Sequence, residues 1–190
     1  MLQNETVAVT RLRFGPGARE SVHTHPFPLV LIQMTSGDIA VQEQSTTKRG
    51  GRVGEVWYVP ADRPHAITRL SNEPAIDVIA VAVLPNRPTA PAAPPTEAPQ
   101  GINRATLVDN ENVRVVRVGF SPGSREPVHT HPNDLLTIQL TRGKLDMQIG
   151  ADHNRQSVEP GLVKFLPRNV PHAYISEDTK PFELISLSVK

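Results

Sequence analysis

A chain of 190 residues with 20 Lys and Arg against 19 Asp and Glu carries a formal charge of +1 and contains no cysteine. That length admits one ordinary domain or two small ones and excludes a large multidomain enzyme. The even balance of charge argues against a nucleic-acid or polybasic membrane surface, and the lack of thiols removes disulfides, thiolate metal sites and cysteine nucleophiles together. The start, Met1-Leu2-Gln3-Asn4-Glu5-Thr6, has neither the charge nor the apolar stretch of a signal peptide, and no run approaches the roughly 18–20 apolar residues of a membrane span. The chain therefore reads as cytoplasmic, although the mature form of a secreted protein has the same features.

In chain order the pattern is that of short strands. Val7, Val9, Arg11 and Arg13 alternate with Ala8, Thr10, Leu12 and Phe14, and the turn Gly15-Pro16-Gly17 follows. Leu29-Val30-Leu31-Ile32 is a continuous apolar run suited to a strand buried on both faces. After the turn Ser36-Gly37-Asp38 come Ile39 and Val41, then Val56 to Val59, the turn Pro60-Ala61-Asp62, and Ile76 to Val83. No stretch combines helix caps with a 3.6-residue stripe. The segment 85–99 has six prolines in fifteen residues, which removes ladder donors and favours extended geometry. Beyond it, Val113, Val115 and Val118, then Leu135-Leu136-Thr137-Ile138, begin the same pattern again. Aromatic residues are few, so the cores must be built from Val, Leu and Ile, which suit a pleated surface.

The chain is in fact written twice. Residues 5–42 align without gaps on 111–148, and Pro16 to Pro26 matches Pro122 to Pro132 almost residue for residue. The offset is 129 − 23 = 106. A second block, Gly54 through Pro60 to His65, matches Gly161 through Pro167 to His172 at an offset of 172 − 65 = 107, so one residue is inserted between the blocks, in a turn. The expected domains are residues 1–84 and 101–190, joined by a linker over 85–100. At about this size a single core is marginal, so the halves are expected to pack on each other, and a homodimer is left open.

Six of the seven histidines fall at matching places in the two copies: His23, His25 and His65, and His129, His131 and His172. Side chains two apart on a strand share a face, so each His-Thr-His projects two imidazoles into one space. The third histidine follows a Pro turn that can bring it back to face the pair. Together the blocks resemble the cupin superfamily, whose signatures are Gly-x5-His-x-His-x3–4-Glu-x6-Gly and Gly-x5-Pro-x-Gly-x2-His-x3-Asn. Gly17, His23, His25 and Gly37, with Gly54, Pro60 and His65, fit in the first copy. Gly123, His129, His131 and Gly143, with Gly161, Pro167 and His172, fit in the second. The resemblance implies an all-β bicupin of two tandem jelly-roll barrels, each with a metal site in its mouth.

The departures from the signature shape the chemistry. Val30 and Leu136 stand where the family has its glutamate ligand, or Leu29 and Leu135 if the gap is one shorter. Asp62 and Asn169 replace the second-motif glycine, and Arg69 and Ser176 the final asparagine. Both sites therefore read as three-histidine sites, which counts against glutamate-dependent activities such as manganese-dependent oxalate decarboxylation. Neutral imidazoles suit Fe(II) or Cu, with Ni or Zn as alternatives, better than Mn or Mg. By resemblance to three-histidine cupin dioxygenases, the chemistry expected is O2-dependent oxidation of a small chelating substrate. The other reading is a non-catalytic bicupin that binds a metal or small ligand as a sensor or store.

No residue beyond the ligands is assigned a catalytic role. Gln33 and Gln139 read first as outward-facing sheet residues and second as weak ligands. Glu20 and Glu126 read as solvent-facing partners of Arg19 and Arg125. Asp134 is a minor acid/base candidate for the second site alone, and isolated His153 reads as a surface residue. Trp57, Tyr58, Phe165 and Tyr174 are expected to fill cores or interfaces rather than stack on substrate.

Overall fold

A computed structural model describes residues 2–71, 74–85 and 99–190. Among them every regular element is a strand, as the apolar patterning predicts. The chain divides into two compact units, Met1–Asn86 and Arg87–Lys190. Most of the expected linker lies outside the described residues, and its last residue, Gln100, already belongs to a strand.

The first unit contains β1 (Leu2–Gln3), β2 (Val7–Phe14), β3 (Leu29–Gln33), β4 (Ile39–Glu43), β5 (Thr46–Gly50), β6 (Val56–Val59), β7 (His65–Arg69) and β8 (Ile76–Val83). They form one sheet in the order β1-β2-β8-β3-β6 and a second in the order β5-β4-β7. Every pairing is antiparallel, with Leu29 opposite Ala82 and Leu31 opposite Ala80. That register turns Leu29, Leu31, Ala80 and Ala82 to the inside, where they join Phe14, Ile39, Val41, Trp57 and Ile67 in one core. Val30, Ile32, Ile79 and Val81, on the opposite face, are also fully buried. This explains the continuous apolar run in β3: both of its faces leave water.

The second unit repeats the plan with β9 (Gln100–Asp109), β10 (Val113–His129), β11 (Leu135–Gln139), β12 (Gly143–Ile149), β13 (Asp152–Val158), β14 (Val163–Leu166), β15 (His172–Ser176) and β16 (Phe182–Val189). The strand order is β13-β12-β15-β10-β16-β11-β14, with β9 on the edge of β10. Here one long strand joins what are two sheets in the first unit. The cause is β9, which supplies a ladder partner as far as Gln100 opposite Arg125, whereas β1 pairs with β2 only at Val9 and Ala8. In each unit the strands form the two facing sheets of a jelly roll.

Two motif residues owe their identity to packing. A Cβ on Gly143 would stand 2.6 Å from Cγ of Phe182, and one on Gly37 would stand 2.8 Å from Cδ1 of Ile76. The one-residue insertion falls between β13 and Gly161, because Gly50 and Gln156 still share the first offset: Ile39 pairs with Gly50 as Leu145 pairs with Gln156.

Candidate metal centre

In the first unit, His23 and His65 face each other as a two-way backbone bridge, with His23 N donating to His65 O at 3.0 Å and His65 N to His23 O at 2.9 Å. The third histidine is tied in by the turn after β6, where Asp62 N donates to His25 O at 2.7 Å. Asp62 has φ 55°, and its counterpart Asn169 has φ 58°. The motif's glycine position is thus a left-handed one, and Asp and Asn are among the residues that tolerate it best. These two departures from the signature leave the turn intact.

The second unit builds the same geometry. His129 pairs with His172 across β10 and β15, and Asn169 N donates to His131 O at 2.8 Å. In each unit the ligand nitrogens of the three histidines lie within 4.8 Å of one another. Nε2 of His23 is 3.0 Å from Nε2 of His25, and the same distance separates His129 from His131. Two nitrogens each about 2.1 Å from one ion and at a right angle to it are about 3.0 Å apart, so the spacing fits adjacent metal ligands.

Hydrogen bonding prepares the rings for that role. Nδ1 of His23 lies 2.8 Å from Ser21 O, Nδ1 of His65 2.9 Å from Arg63 O, Nδ1 of His129 2.8 Å from Pro127 O and Nδ1 of His172 2.9 Å from Val170 O. A carbonyl only accepts, so these four Nδ1 atoms carry the proton and each Nε2 presents a lone pair. Nε2 of His172 is buried without a hydrogen-bond partner, a costly arrangement that a metal ion would relieve. Burial, reinforced by the neighbouring histidines and Arg104, pushes the His131 imidazole down to about 4. Burial also pushes His172 down to about 4, against the Val170 hydrogen bond, which raises it, and with His129 adding to the fall. His25 is lowered too, first by burial and then by His23 and His65. The neutral, coordinating form is therefore favoured at His25, His131 and His172.

Each triad opens into a cavity, of about 330 Å³ in the first unit and about 340 Å³ in the second. Their walls decide the register of the missing glutamate. Leu29 and Leu135 line the cavities, whereas Val30 and Leu136 do not. The shorter gap is the correct one, and an inward carboxylate there would face the triad.

Other readings need correction. Gln33 and Gln139 are not outward-facing: they are 0% and 4% exposed. Gln33 Nε2 donates to Thr35 O and Gly37 O, and Gln139 Nε2 to Thr141 O, so both close turns, and neither lines a triad cavity. Glu20 and Glu126 are not solvent-facing partners of the adjacent arginines, because both line the cavities. Glu126 is ion-paired with Arg104 of β9, and its Oε1 lies 3.7 Å from Nε2 of His129. The sequence offered one signal for this: Glu20 and Glu126 hold the same place three residues before the first histidine. Asp134 Oδ1 accepts from Arg168 N at 2.9 Å and so fastens the loop before β11 to that after β14. Exposed His153 meets Asp146 at 3.1 Å. Trp57 is in the core, and Tyr58 and Phe165 are half-buried opposite Val30 and Leu136. Tyr174 does both jobs, packing on Phe120 and lining the second cavity. Burial, and secondarily Glu126, pushes its phenol well above the ordinary range.

Residues 116–189 match the family model for the cupin domain. Among curated proteins none matches the chain. Of solved structures, AerE from Microcystis aeruginosa superposes with a TM-score of 0.76 at 17% identity, covering 99% of this chain and 90% of its own. A cupin 2 conserved barrel domain protein from Leptotrichia buccalis gives 0.68 at 16% identity, covering 100% and 86%. Oxalate decarboxylase from Bacillus subtilis, described with Mn(II) centres, gives 0.70 at 16% identity, covering 97% and 69%. Matching strand order, paired histidine triads and these likenesses agree: the chain has the cupin fold, and its residues 116–189 form a cupin domain.

Proposed function

We propose that the chain is a bicupin, with jelly-roll barrels over 1–84 and 101–190 and a proline-rich connection between them, in which each triad binds one divalent transition metal. Fe(II) or Cu suits three neutral imidazoles best, with Ni or Zn as alternatives. The activity proposed is that of an O2-using oxidoreductase acting on a small chelating substrate. The observation that carries this reading is the pinning of Nδ1 in four of the histidines, which aims Nε2 lone pairs at one point in each unit.

When bound, the metal would supply Lewis acidity and a place for dioxygen or substrate oxygens. Burial holds His25, His131 and His172 toward the neutral form, and Leu29 or Leu135 presents an apolar wall where a fourth ligand would crowd the site. Three neutral ligands leave the charge of the ion uncompensated, which favours substrates that bind as chelating anions.

Elemental analysis of protein purified without added metal should find about two equivalents per chain, and His129→Ala with His131→Ala should remove one. Metal-dependent O2 uptake across β-diketones, hydroxylated aromatics and saccharides then tests the activity. Full metal retention in the double variant would refute the ligand set. Metal binding without O2 uptake on any substrate would favour the alternative, a non-catalytic bicupin that binds a metal or small ligand.

A further inference from the structure

Behind the second metal cavity the two units differ at one inward position. In the first unit Trp57 of β6 stands opposite Leu31 of β3, and both are core residues. The aligned pair in the second unit is Lys164 of β14 opposite Thr137 of β11. Directly opposed residues share a face of the sheet, so a lysine points where the first unit buries an indole. Lys164 is half-buried and lines a separate small cavity, of about 10 Å³, with Thr137, Leu145, Val158, Leu162 and Leu184. The first unit has Glu55 where the second has Leu162, so the nearest position for a carboxylate on the same strand face is apolar. Of the other lysines, Lys48 is paired with Glu43 and Lys190 with Asp109, while Lys144 and Lys180 are exposed. Among the described residues no carboxylate is paired with Lys164, and burial alone pushes its ammonium below the ordinary lysine value.

We propose that Lys164 is a nucleophilic amine that captures a small aliphatic aldehyde as an imine, at a site that does not use the histidine triad. The amine lone pair attacks the carbonyl carbon, a C–N bond forms, and a proton passes from nitrogen to oxygen to give a carbinolamine. The C–O bond then breaks, the oxygen leaves as water with both former N–H protons, and a C=N bond remains. No oxidant or reductant is consumed. A desolvated lysine among apolar side chains is the usual setting for this chemistry, because the reactive form is the neutral amine. Imine formation also replaces a charge that has no partner by a neutral group, which the leucines and valine around it favour. The size of the space sets the ligand class: about 10 Å³ holds roughly one water-sized group, so an aldehyde of one or two carbons fits and an aromatic one does not. Lys164 lines only this cavity and not the one into which His129, His131 and His172 open. In the first unit the indole of Trp57 leaves no amine to react.

The test exposes the full chain to acetaldehyde and sodium cyanoborohydride at neutral pH, which reduces each imine to an N-ethyl group, and follows every lysine by peptide mass mapping. Exposed Lys144 and Lys180 serve as internal references. Lys164 should be labelled at least about fivefold faster than either, as a desolvated amine with a larger neutral fraction. Benzaldehyde should label it no faster than the references. Leu162→Glu installs the residue that the first unit carries at this place, gives the amine a carboxylate, and should bring Lys164 down to the reference rate. Leu162→Gln, of the same size but uncharged, should keep the preference, which separates charge from packing. Labelling of Lys164 no faster than Lys144 and Lys180 would overturn the proposal. Equal preference with benzaldehyde would overturn the ligand class, and an undiminished rate in Leu162→Glu would overturn the unpaired, desolvated amine as its cause.

Discussion

Leu135 lines the cavity of the second triad while Leu136, next to it, is fully buried on the opposite face, so one carboxylate moved by one residue should have opposite effects. Leu135→Glu places a negative charge against the ion, where at about 4 Å and an effective dielectric of about 20 a single pair of unit charges is worth about 4 kcal/mol. Metal affinity should rise at least about tenfold, and inhibition by small chelating anions should weaken. Leu136→Glu buries a charge with no partner and should cost about 3 kcal/mol or more in urea unfolding, without tightening metal. Equal metal affinity in both variants would reverse the register. The histidines make a separate prediction about pH. His131 and His172 are held near 4 in the folded chain against an ordinary value of 6.5, so below pH 6.5 the unfolded chain takes up protons that the folded chain does not. The metal-free protein should therefore keep its stability above about pH 6.5 and lose it progressively as pH falls toward 4. Chemical denaturation at stepped pH checks the sign, and flat stability across that window would contradict it.

At the scale of the element, the turn between β14 and β15 does the positioning. Asn169 sits at φ 58° and its amide holds His131 O, so Asn169→Gly should stay within about 1 kcal/mol of the parent, whereas the β-branched Asn169→Val should lose about 1–2 kcal/mol and loosen metal binding. The start of β12 is constrained by contact instead. Gly143→Ala drives a methyl into the Phe182 ring and should cost about 1–3 kcal/mol by overpacking, measured as a shift in denaturation midpoint. The strands with strong apolar patterning were legible: β2, β3, β6 and β8 follow the predicted runs. Strands β5, β9 and β13 were not, because their side chains are mainly polar and exposed. Backbone pairing to a neighbour holds them in place, and a single strand's sequence carries no mark of that neighbour.

For the whole molecule, metal binding and folding should be linked without being the same event. An ion that binds only the native triads raises stability by RT ln(1 + [L]/Kd), yet each unit keeps a core of Val, Leu and Ile when the ion leaves. A chelator should lower the melting temperature while leaving the β circular-dichroism signal in place at room temperature. An unfolded metal-free chain would show that the histidines, and not the apolar cores, hold the barrels together.

The sequence by itself determined the all-β class, the duplication and the six repeated histidines. These are one-dimensional properties: alternation follows the pleat, and a repeated motif needs no knowledge of what surrounds it. It also marked the absence of a carboxylate from the family's ligand position, within a one-residue ambiguity. Only the tertiary structure resolved that ambiguity, since a slip of one residue reverses every side chain on a strand, and the facing register with β8 and β16 fixes which leucine looks inward. The fate of Glu126 was decided there as well. Its neighbour in sequence is Arg125, but its partner is Arg104, 22 positions away in the chain and delivered by β9. Proximity of that kind is made by sheet topology, and it turns a residue that reads as solvent-facing into a carboxylate that lines the second cavity.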